Sequence, residues 1–251
     1  MCIRDSLHLV GFYPIVVHGG GPQIKRLMKS LGHEETFYQG MRISDDATME
    51  VVEMVLAGKV NKNIVSLITD YGANAIGITG LDAHFIKTKP LKLSPGSGER
   101  TIDLGRVGKV THINADFLYK LLQDDLVPVI APIGVGSEGK GYNVNADIIA
   151  GEVARAMNAE KLILMTNTPG VLNKKGELLT FLNPDEIAAL ITDGTIQDGM
   201  LPKIESALET AKESHNCVHI IDGRVPHALL LELFTDKGIG SMILPDGEKN
   251  T

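Results

Sequence analysis

Residues 15–22 read Ile15-Val16-Val17-His18-Gly19-Gly20-Gly21-Pro22, and this stretch decides the fold. An apolar strand enters the glycines, and a segment with helical spacing of apolar residues follows them. Because glycine has no Cβ, the chain can turn sharply here and bring its backbone N–H groups against a carboxylate or a phosphate. The stretch therefore predicts an anion site at a strand-to-helix turn. A tight turn without a ligand is the alternative.

Strands and helices alternate along the rest of the chain. Short apolar runs predict strands, and longer runs with helical spacing predict helices. We expect strands at 14–17, 75–79, 127–133, 161–166, 218–222 and 241–244, helices at 22–31, 46–68, 114–122, 146–157, 200–213 and 226–234, a further helix after Asn183, and hairpins within 85–110 and 170–180. Strands separated by helices predict an α/β fold, a three-layer αβα sandwich around a central, mainly parallel sheet. We expect an N-terminal lobe, residues 1–158, and a C-terminal lobe, residues 159–251.

Charge and composition exclude several classes of protein. The chain has 251 residues, a net charge of −7 and scattered lysines and arginines, so we expect no nucleic-acid partner. Cys2 and Cys217 are the only cysteines in the sequence and lack metal-type spacing. This argues against a disulfide scaffold or a zinc site and favours a cytoplasmic location. No apolar run reaches the roughly 18 residues of a membrane span, so we expect no membrane partner.

Ligands of open α/β sheets bind beyond the carboxyl ends of the strands. The loops that follow predicted strands are residues 19–21, 134–147, 166–170 and 222–224. Asn143 and Asp147 are four residues apart at a helix entry, so their side chains can point the same way. The alternative is that Asn143 or Asn145 is only a helix N-cap.

Several spaced motifs stand out from the rest of the chain. They are His18-Gly19-Gly20-Gly21-Pro22-Gln23-Ile24, Gly40-Met41-Arg42-Ile43-Ser44-Asp45, Val60-Asn61-Lys62, Tyr142-Asn143-Val144-Asn145-Ala146-Asp147, Gly199-Met200-Leu201-Pro202-Lys203, and the runs 218–227 and 232–236. Together these motifs resemble the N-acetylglutamate kinases of the amino-acid kinase superfamily. The resemblance extends from about Leu7 to Leu244, and its last part is similar to the arginine-inhibited branch of that family.

The resemblance implies the amino-acid kinase fold and a phosphotransfer reaction. The γ-phosphoryl group of ATP, with Mg²⁺, would pass to the side-chain carboxylate of N-acetyl-L-glutamate, the second step of arginine biosynthesis. A carboxyl with an ordinary pKa of about 4.3 is ionised at neutral pH, so the reaction needs no general base. It needs alignment of two anions and neutralisation of charge, which glycine amides, lysines and an arginine supply.

On the acceptor side, the resemblance implies roles for residues of the N-terminal lobe. Gly20 and Gly21 would direct their amides at the reacting groups. Arg42 would bind the α-carboxylate with its planar fork, which lysine cannot reproduce. Asn143 would hydrogen-bond the acetylamino group or the neighbouring carboxylate. Asp147 would orient the catalytic lysines rather than take a proton.

On the nucleotide side, the resemblance implies that residues 167–172 and 195–197 line ATP. The cofactor-binding residues would be Asn167, Gly170, Leu172, Thr195 and Gln197. Lys203 would stabilise the transferring phosphoryl group. For Lys203, as for Arg42, the alternative is a solvated surface charge.

The resemblance also implies an effector site for arginine as a feedback inhibitor. Its residues would be His219, Glu232, Gly238 and Gly240, with the carboxylate receiving the cation of the effector. A helix cap followed by a turn is the alternative. That branch joins dimers into hexamers through an N-terminal helix that residues 1–14 do not supply, so we expect a homodimer.

Two features depart from the family pattern. The family begins with a strand that carries Lys-x-Gly-Gly, and residues 1–14 lack it, so we expect an N-terminally truncated chain. Asn167 stands where many members carry aspartate, which leaves that ATP contact open. Two other functions also stay open: a superfamily kinase acting on another acceptor, such as glutamate or aspartate, and a catalytically silent arginine-binding module.

Overall fold

The computed structural model describes residues 11–38, 41–93, 102–197, 200–214, 216–235 and 238–245. The expected truncation at the N-terminus falls largely on residues 1–10, and with Gly40 and Gly199 of the motifs these lie outside the described residues. The chain divides into two compact units, Met1–Ile149 and Ala150–Thr251. Within the described ranges, no helix is long and apolar enough to cross a membrane.

The first unit contains most of the elements. In chain order they are β1 (Val16–Val17), α1 (Gly21–Ser30), β2 (Phe37–Tyr38), β3 (Met41–Arg42), α2 (Asp46–Glu53), a π-helical segment (Met54–Val60), α3 (Asn61–Asp70), β4 (Ala75–Thr79), a 3₁₀ turn (Asp82–His84), β5 (Ile86–Leu93), β6 (Ile102–Ile113), α4 (Ala115–Gln123), β7 (Val127–Ala131), β8 (Ile133–Val135) and β9 (Gly141–Asn143). Helix α5 (Ala146–Ala156) begins in this unit.

A parallel sheet in the order β1-β7-β4 carries the glycine turn. All of β7 is buried, as expected for the central strand of a parallel sheet. The sequence predicts one strand over 127–133, which is wrong: β7 ends at Ala131 and β8 begins at Ile133. Pro132 separates them, because proline has no N–H with which to continue the ladder.

The remaining strands of the first unit are antiparallel or mixed. β5 and β6 form the predicted hairpin, and β8 and β9 close it into a small barrel in the order β5-β6-β9-β8. β2 and β3 form a two-stranded hairpin that periodicity did not predict. The predicted helix over 46–68 is present, but its middle turn is π-helical.

A core of aliphatic side chains joins α1, α2 and the π-helical segment to the sheet. Met28, Met49 and Leu56 are among its fully buried members. Burial of each such side chain contributes roughly 1.5–3 kcal/mol to folding. Because these side chains come from consecutive helices, the core fixes where the π-helical segment lies against the glycine turn.

The second unit is built on one four-stranded sheet. Its elements are β10 (Leu162–Thr166), β11 (Phe181–Leu182), α6 (Pro184–Thr192), α7 (Leu201–Ser214), β12 (Val218–Asp222), α8 (Ala228–Phe234) and β13 (Ser241–Ile243), with the strand order β10-β12-β13-β11. The helix predicted after Asn183 is confirmed: the Asn183 side chain accepts from the Glu186 N–H, and the Glu186 carboxylate accepts from the Asn183 N–H. A second aliphatic core, with Ile187, Ile204 and Ile220 fully buried, holds the unit together.

Candidate active site

The glycine turn between β1 and α1 presents two backbone amides. The Gly20 carbonyl accepts hydrogen bonds from the N–H groups of Gln23 (3.1 Å) and Ile24 (3.0 Å), which starts the first turn of α1. The amides of Gly20 and Gly21 donate to no other residue in the described ranges. A Cβ on Gly20 would lie 2.5 Å from Cδ2 of the buried Leu56, so glycine is required there. The turn therefore offers free donors at a helix N-terminus.

The N-terminus of α5 lies beside the same turn. A Cβ on Gly19 would lie 3.8 Å from Ala146 Cβ, at the first residue of α5. The Asn145 side chain caps this helix, because its Oδ1 accepts from the Asp147 N–H at 2.7 Å. Of the two asparagines predicted as alternatives, Asn145 and not Asn143 is the cap. Two helix N-termini thus meet at the glycine turn, and their partial positive charges favour an anion between them.

Ser44 links the two predicted acceptor residues. The Asn143 amide donates to Ser44 Oγ at 3.3 Å, and that hydroxyl donates to the Arg42 carbonyl at 3.0 Å. Ser44 is completely buried, and its own N–H and C=O bond to Leu104 and Arg106 of β6. The structure therefore brings Asn143 and the strand of Arg42 together through a residue to which sequence reasoning assigned no role.

The Arg42 side chain is held on two sides. Its guanidinium pairs with the Glu35 carboxylate and lies 4.8 Å from the centre of the Phe37 ring. The side chains of Arg42 and Glu35 are only 8% and 11% exposed. Burial lowers the pKa of Arg42 from its ordinary value, although an arginine stays charged in proteins. The alternative of a solvated surface charge is wrong for Arg42.

Arg106 is a second arginine that sequence reasoning missed. Its Nε donates to the Gly141 carbonyl at 2.9 Å, and its NH1 group pairs with Asp46 at 3.1 Å. The side chain therefore ties the start of β9 to the start of α2. No motif pointed to it, since a lone arginine within a strand carries no signal of its partners.

In the second unit, the loop after β10 approaches β13 closely. Gly170 has φ +147°, and a Cβ there would lie 2.6 Å from Ser241 Oγ. The buried Ser241 hydroxyl accepts from the Val171 N–H (2.8 Å) and donates to the Leu179 carbonyl (2.6 Å). Asn167 is exposed on this loop. The loop is thus fixed beyond the carboxyl end of a strand, where nucleotides bind in open sheets.

The other predicted nucleotide residues occupy different surroundings. Leu172 pairs with Leu178 across the predicted hairpin and is partly buried. The Thr195 hydroxyl donates to Asp193 at 2.6 Å, and this bond lowers the pKa of the Asp193 carboxyl. Gln197 is exposed.

Lys203 lies in the first turn of α7, a turn without an acidic residue. The residue is partly buried, so the alternative of a solvated surface charge stays open here. A cation at a helix N-terminus interacts unfavourably with the helix dipole, at a cost of about 0.3–1 kcal/mol. An anionic ligand beside the lysine would offset that cost, which makes the position a good one for a phosphate.

The predicted effector residues also lie together. His219 Nδ1 is 2.6 Å from Glu232 Oε1, and the Ile239 N–H donates to Glu232 Oε2 at 2.7 Å. The side chains of His219 and Glu232 are 3% and 4% exposed. His219 Nε2 is buried and has no partner among the described residues. Gly238 has φ +59°, and a Cβ on it would lie 2.8 Å from the Glu232 carboxylate.

Two further tight contacts involve residues of β12. A Cβ on Gly240 would lie 2.2 Å from the Ile220 carbonyl oxygen, so this position also needs glycine. Asp222 accepts from the Arg224 guanidinium at 2.8 and 2.9 Å, and these bonds lower the pKa of Asp222 to about 2.

Comparison with known proteins gives close matches. Residues 3–222 match the family described as Amino acid kinase family. The chain is 54% identical over 243 residues to an acetylglutamate kinase from Nitrosococcus oceani, covering 94% of this chain and 81% of that protein. It is 56% identical over 240 residues to an acetylglutamate kinase from Azoarcus sp. strain BH72, covering 94% and 80%. Its fold is similar to the crystal structure of smu.665 from Streptococcus mutans UA159, with a TM-score of 0.81, 30% identity, and coverage of 96% and 89%.

Proposed function

The chain belongs to the amino acid kinase family, and we propose that it transfers the γ-phosphoryl group of ATP to the side-chain carboxylate of N-acetyl-L-glutamate. The product would be N-acetylglutamyl 5-phosphate, an intermediate of arginine biosynthesis. The observation that carries the proposal is the meeting of two helix N-termini at the glycine turn, with Asn143 just before one of these helices and linked through Ser44 to the Arg42 carbonyl. The close relatives named acetylglutamate kinase support it.

The chemistry suits a site that aligns anions and has no base. The acceptor carboxylate is ionised at neutral pH and attacks the phosphorus directly, so no side chain has to remove a proton. The amides of Gly20 and Gly21 would hydrogen-bond oxygens that gain negative charge during transfer. Such donors are worth most when they are already oriented, and the carbonyl bonds to Gln23 and Ile24 orient this turn before substrate arrives.

The acceptor would be recognised at its far end by Arg42 and Asn143. Arg42 would bind the α-carboxylate in two parallel hydrogen bonds, and the Asn143 amide would bond the acetylamino group. Unacetylated glutamate keeps the α-carboxylate for Arg42, but it carries a charged α-amino group in place of the acetylamino group that Asn143 would bind. We therefore propose N-acetylglutamate rather than glutamate as the acceptor.

ATP would bind in the second unit at the loop after β10. Gly170 lets the backbone approach closely, and Asn167, Leu172, Thr195 and Gln197 remain the residues that we propose for contact with the nucleotide. Lys203 would stabilise the phosphoryl group, and Asp147 keeps its predicted role as an orienting residue. In the described ranges, no three His, Cys, Asp or Glu side chains are grouped to hold a metal. We propose that Mg²⁺ enters with the ATP phosphates, as it does at many kinase sites.

Hydroxylamine trapping of the acyl phosphate tests this function. Purified protein with Mg-ATP should form a hydroxamate from N-acetylglutamate and none from glutamate, aspartate or carbamate. If a folded sample phosphorylates another of these acceptors and not N-acetylglutamate, the proposed substrate is wrong. A folded sample that binds arginine and produces no hydroxamate would contradict the proposal in favour of a binding module.

We further propose that arginine binds at His219 and Glu232 as a feedback inhibitor and that the protein is a homodimer. The buried carboxylate, its neighbouring glycines and the unpartnered His219 Nε2 support an effector site. Titration of the trapping assay with arginine, and sedimentation analysis of the pure protein, test these two points. Inhibition by arginine that survives Glu232→Gln would contradict the proposed site.

Glu35→Gln is expected to lower the KM for N-acetylglutamate about tenfold, or ~1.4 kcal/mol. In the structure Glu35 neutralises the guanidinium that the α-carboxylate needs, so its charge competes with the substrate. The same change leaves Arg42 buried without its anion, so the free protein should melt earlier and gain more stability from N-acetylglutamate. Steady-state kinetics and thermal melts measure both effects.

The control for this variant is Glu34→Gln, which removes the same charge from the neighbouring, exposed residue. It should change the KM for N-acetylglutamate by no more than about twofold, because exposed charges are screened. For the same reason it should hardly change the thermal melt. Equal kinetic effects of the two variants would show that Glu35 acts only through net charge.

A further inference from the structure

The motif Val60-Asn61-Lys62 has no part in the function described so far. Asn61 is the first residue of α3, follows the π-helical segment and is 1% exposed. Its Nδ2 lies 2.8 Å from the Val129 carbonyl oxygen and 3.2 Å from His18 Nε2. Its Oδ1 lies 3.3 Å from Lys62 Nζ, which also donates to the Gly77 carbonyl at 3.1 Å. This buried polar group therefore reaches from α3 to all three strands of the parallel sheet or their ends.

The partners of Asn61 determine which way its amide faces. The Lys62 ammonium can only donate, so it must face the amide oxygen. The Val129 carbonyl can only accept, so it must face the amide nitrogen. The nitrogen that faces Val129 is also the one that faces His18. Asn61 is therefore a hydrogen-bond donor to the imidazole.

The same reasoning fixes the tautomer of His18 from both sides of the ring. Since Asn61 donates, His18 Nε2 must carry a lone pair. His18 Nδ1 lies 2.9 Å from the Gly19 carbonyl oxygen, which only accepts, so Nδ1 must carry the proton. Burial lowers the pKa of the His18 imidazole below its ordinary 6.5, and the bond to Gly19 opposes this in part. The ring is then neutral, with Nδ1–H donating to Gly19.

That hydrogen bond sets the direction of the Gly20 amide. In a trans peptide the C=O and the following N–H point in opposite directions. Because the Gly19 carbonyl is turned toward the His18 ring, the Gly20 N–H is turned away from it. The next peptide is fixed in the same manner, since the Gly20 carbonyl bonds to Gln23 and Ile24. His18 thus controls the one peptide of the turn that the helix does not.

We infer that Asn61 and His18 are positioning residues: Asn61 sets the tautomer of His18, and His18 Nδ1–H holds the Gly19 peptide so that the Gly20 N–H faces the reacting anions. The role of the Gly20 amide rests on the proposed function, whereas the tautomer does not. Gly77 makes room for the arrangement, because a Cβ there would lie 1.7 Å from Asn61 Oδ1.

Two substitutions of His18 test its hydrogen bond to Gly19 separately from its hydrogen bond to Asn61. Asparagine places an amide donor near the position of Nδ1, and glutamine places its polar group near the position of Nε2. His18→Gln should lower kcat about tenfold with little change in either KM, a smaller loss than the roughly 10²-fold that a displacement of ~1 Å can cost. His18→Asn should restore part of that loss, because a donor to Gly19 is again present. Activity is measured per folded molecule by hydroxylamine trapping.

A spectroscopic measurement tests the tautomer of His18 whether or not the protein has kinase activity. Long-range ¹H–¹⁵N correlation of protein with ¹⁵N-labelled histidines distinguishes a protonated from an unprotonated ring nitrogen, and the His18→Asn variant assigns the His18 signals. We expect a proton on Nδ1 only in the parent protein. In Asn61→Asp, a carboxylate replaces the donor, so Nε2 should gain a proton. The control Asn63→Asp, on the exposed side of α3, should leave the parent tautomer.

The outcomes are distinguishable. Protonation of Nε2 in the parent, or the same tautomer in Asn61→Asp, would overturn the inference whatever the enzyme does. If the parent phosphorylates N-acetylglutamate and His18→Gln matches it in kcat, the positioning role is overturned while the function stands. If the parent has no kinase activity, the proposed function fails, and the spectra alone decide whether Asn61 sets the tautomer.

Discussion

Arg42→Lys is expected to raise the KM for N-acetylglutamate about 100-fold, equal to ~2.7 kcal/mol, and to leave the KM for ATP within about twofold. A guanidinium can give the α-carboxylate two parallel charge-assisted hydrogen bonds, and an ammonium can give only one at this geometry. The lost bond is worth about 1.5–3 kcal/mol because it involves two charged groups. The substitution also removes the contact between the guanidinium and the Phe37 ring.

Kinetics with each substrate varied in turn measure this effect. Arg26→Lys is the matched control, because Arg26 is an exposed arginine on α1. This substitution should change neither KM. A parallel rise in both KM values would mean that Arg42 supports the fold of the site and does not bind the acceptor.

The resting environment of Arg42 makes this prediction more specific. Its guanidinium is already paired with Glu35, so the α-carboxylate would enter a site that holds one negative charge. Binding is then an exchange or a sharing of anions around one cation. The double variant with Glu35→Gln and Arg42→Lys should therefore show a smaller KM defect than Arg42→Lys alone, because the competing carboxylate is gone.

Apolar periodicity was sufficient to predict most of the fold. The strands Ala75–Thr79 and Val218–Asp222 match the sequence-based ranges to the residue. Both are short runs in which apolar residues predominate, and each is followed by a glycine, Gly80 or Gly223. The same pattern failed at Pro132, where an apolar run conceals a break in hydrogen bonding. It also could not show the π-helical turn at Met54–Val60, because apolar spacing hardly changes over a single wider turn.

The sequence predicted the candidate site only where a local motif indicates it. The glycine turn carries its own signal, since three consecutive glycines after a strand have few other uses. The contact between Asn143 and Ser44 joins residues 99 positions apart, and no local pattern encodes it. Glu35 and Arg106 are likewise ordinary charges until the fold gives each a partner. Motifs therefore indicate where the candidate site lies, and the tertiary structure shows which other residues contact the motif residues.

The largest effect is expected from Lys203→Met, which should lower kcat about 10²- to 10³-fold, the cost of removing one group that stabilises transition-state charge. Both KM values should change far less, because the phosphoryl group gains its extra charge only during transfer. Methionine keeps most of the aliphatic side chain and removes the cation. The cation that is removed lies in the first turn of α7, where a positive charge opposes the helix dipole.

Lys212→Met is the control for this prediction, because Lys212 is exposed in the last turn of the same helix. It should leave kcat unchanged and cost the helix a few tenths of a kcal/mol, since a cation is favourable at that end. Of the two variants, only Lys203→Met should lose catalysis. Stability measured by urea unfolding and kcat measured by trapping separate the effects. A Lys203→Met enzyme that retains kcat would place the phosphoryl group away from α7 and remove the lysine from the mechanism.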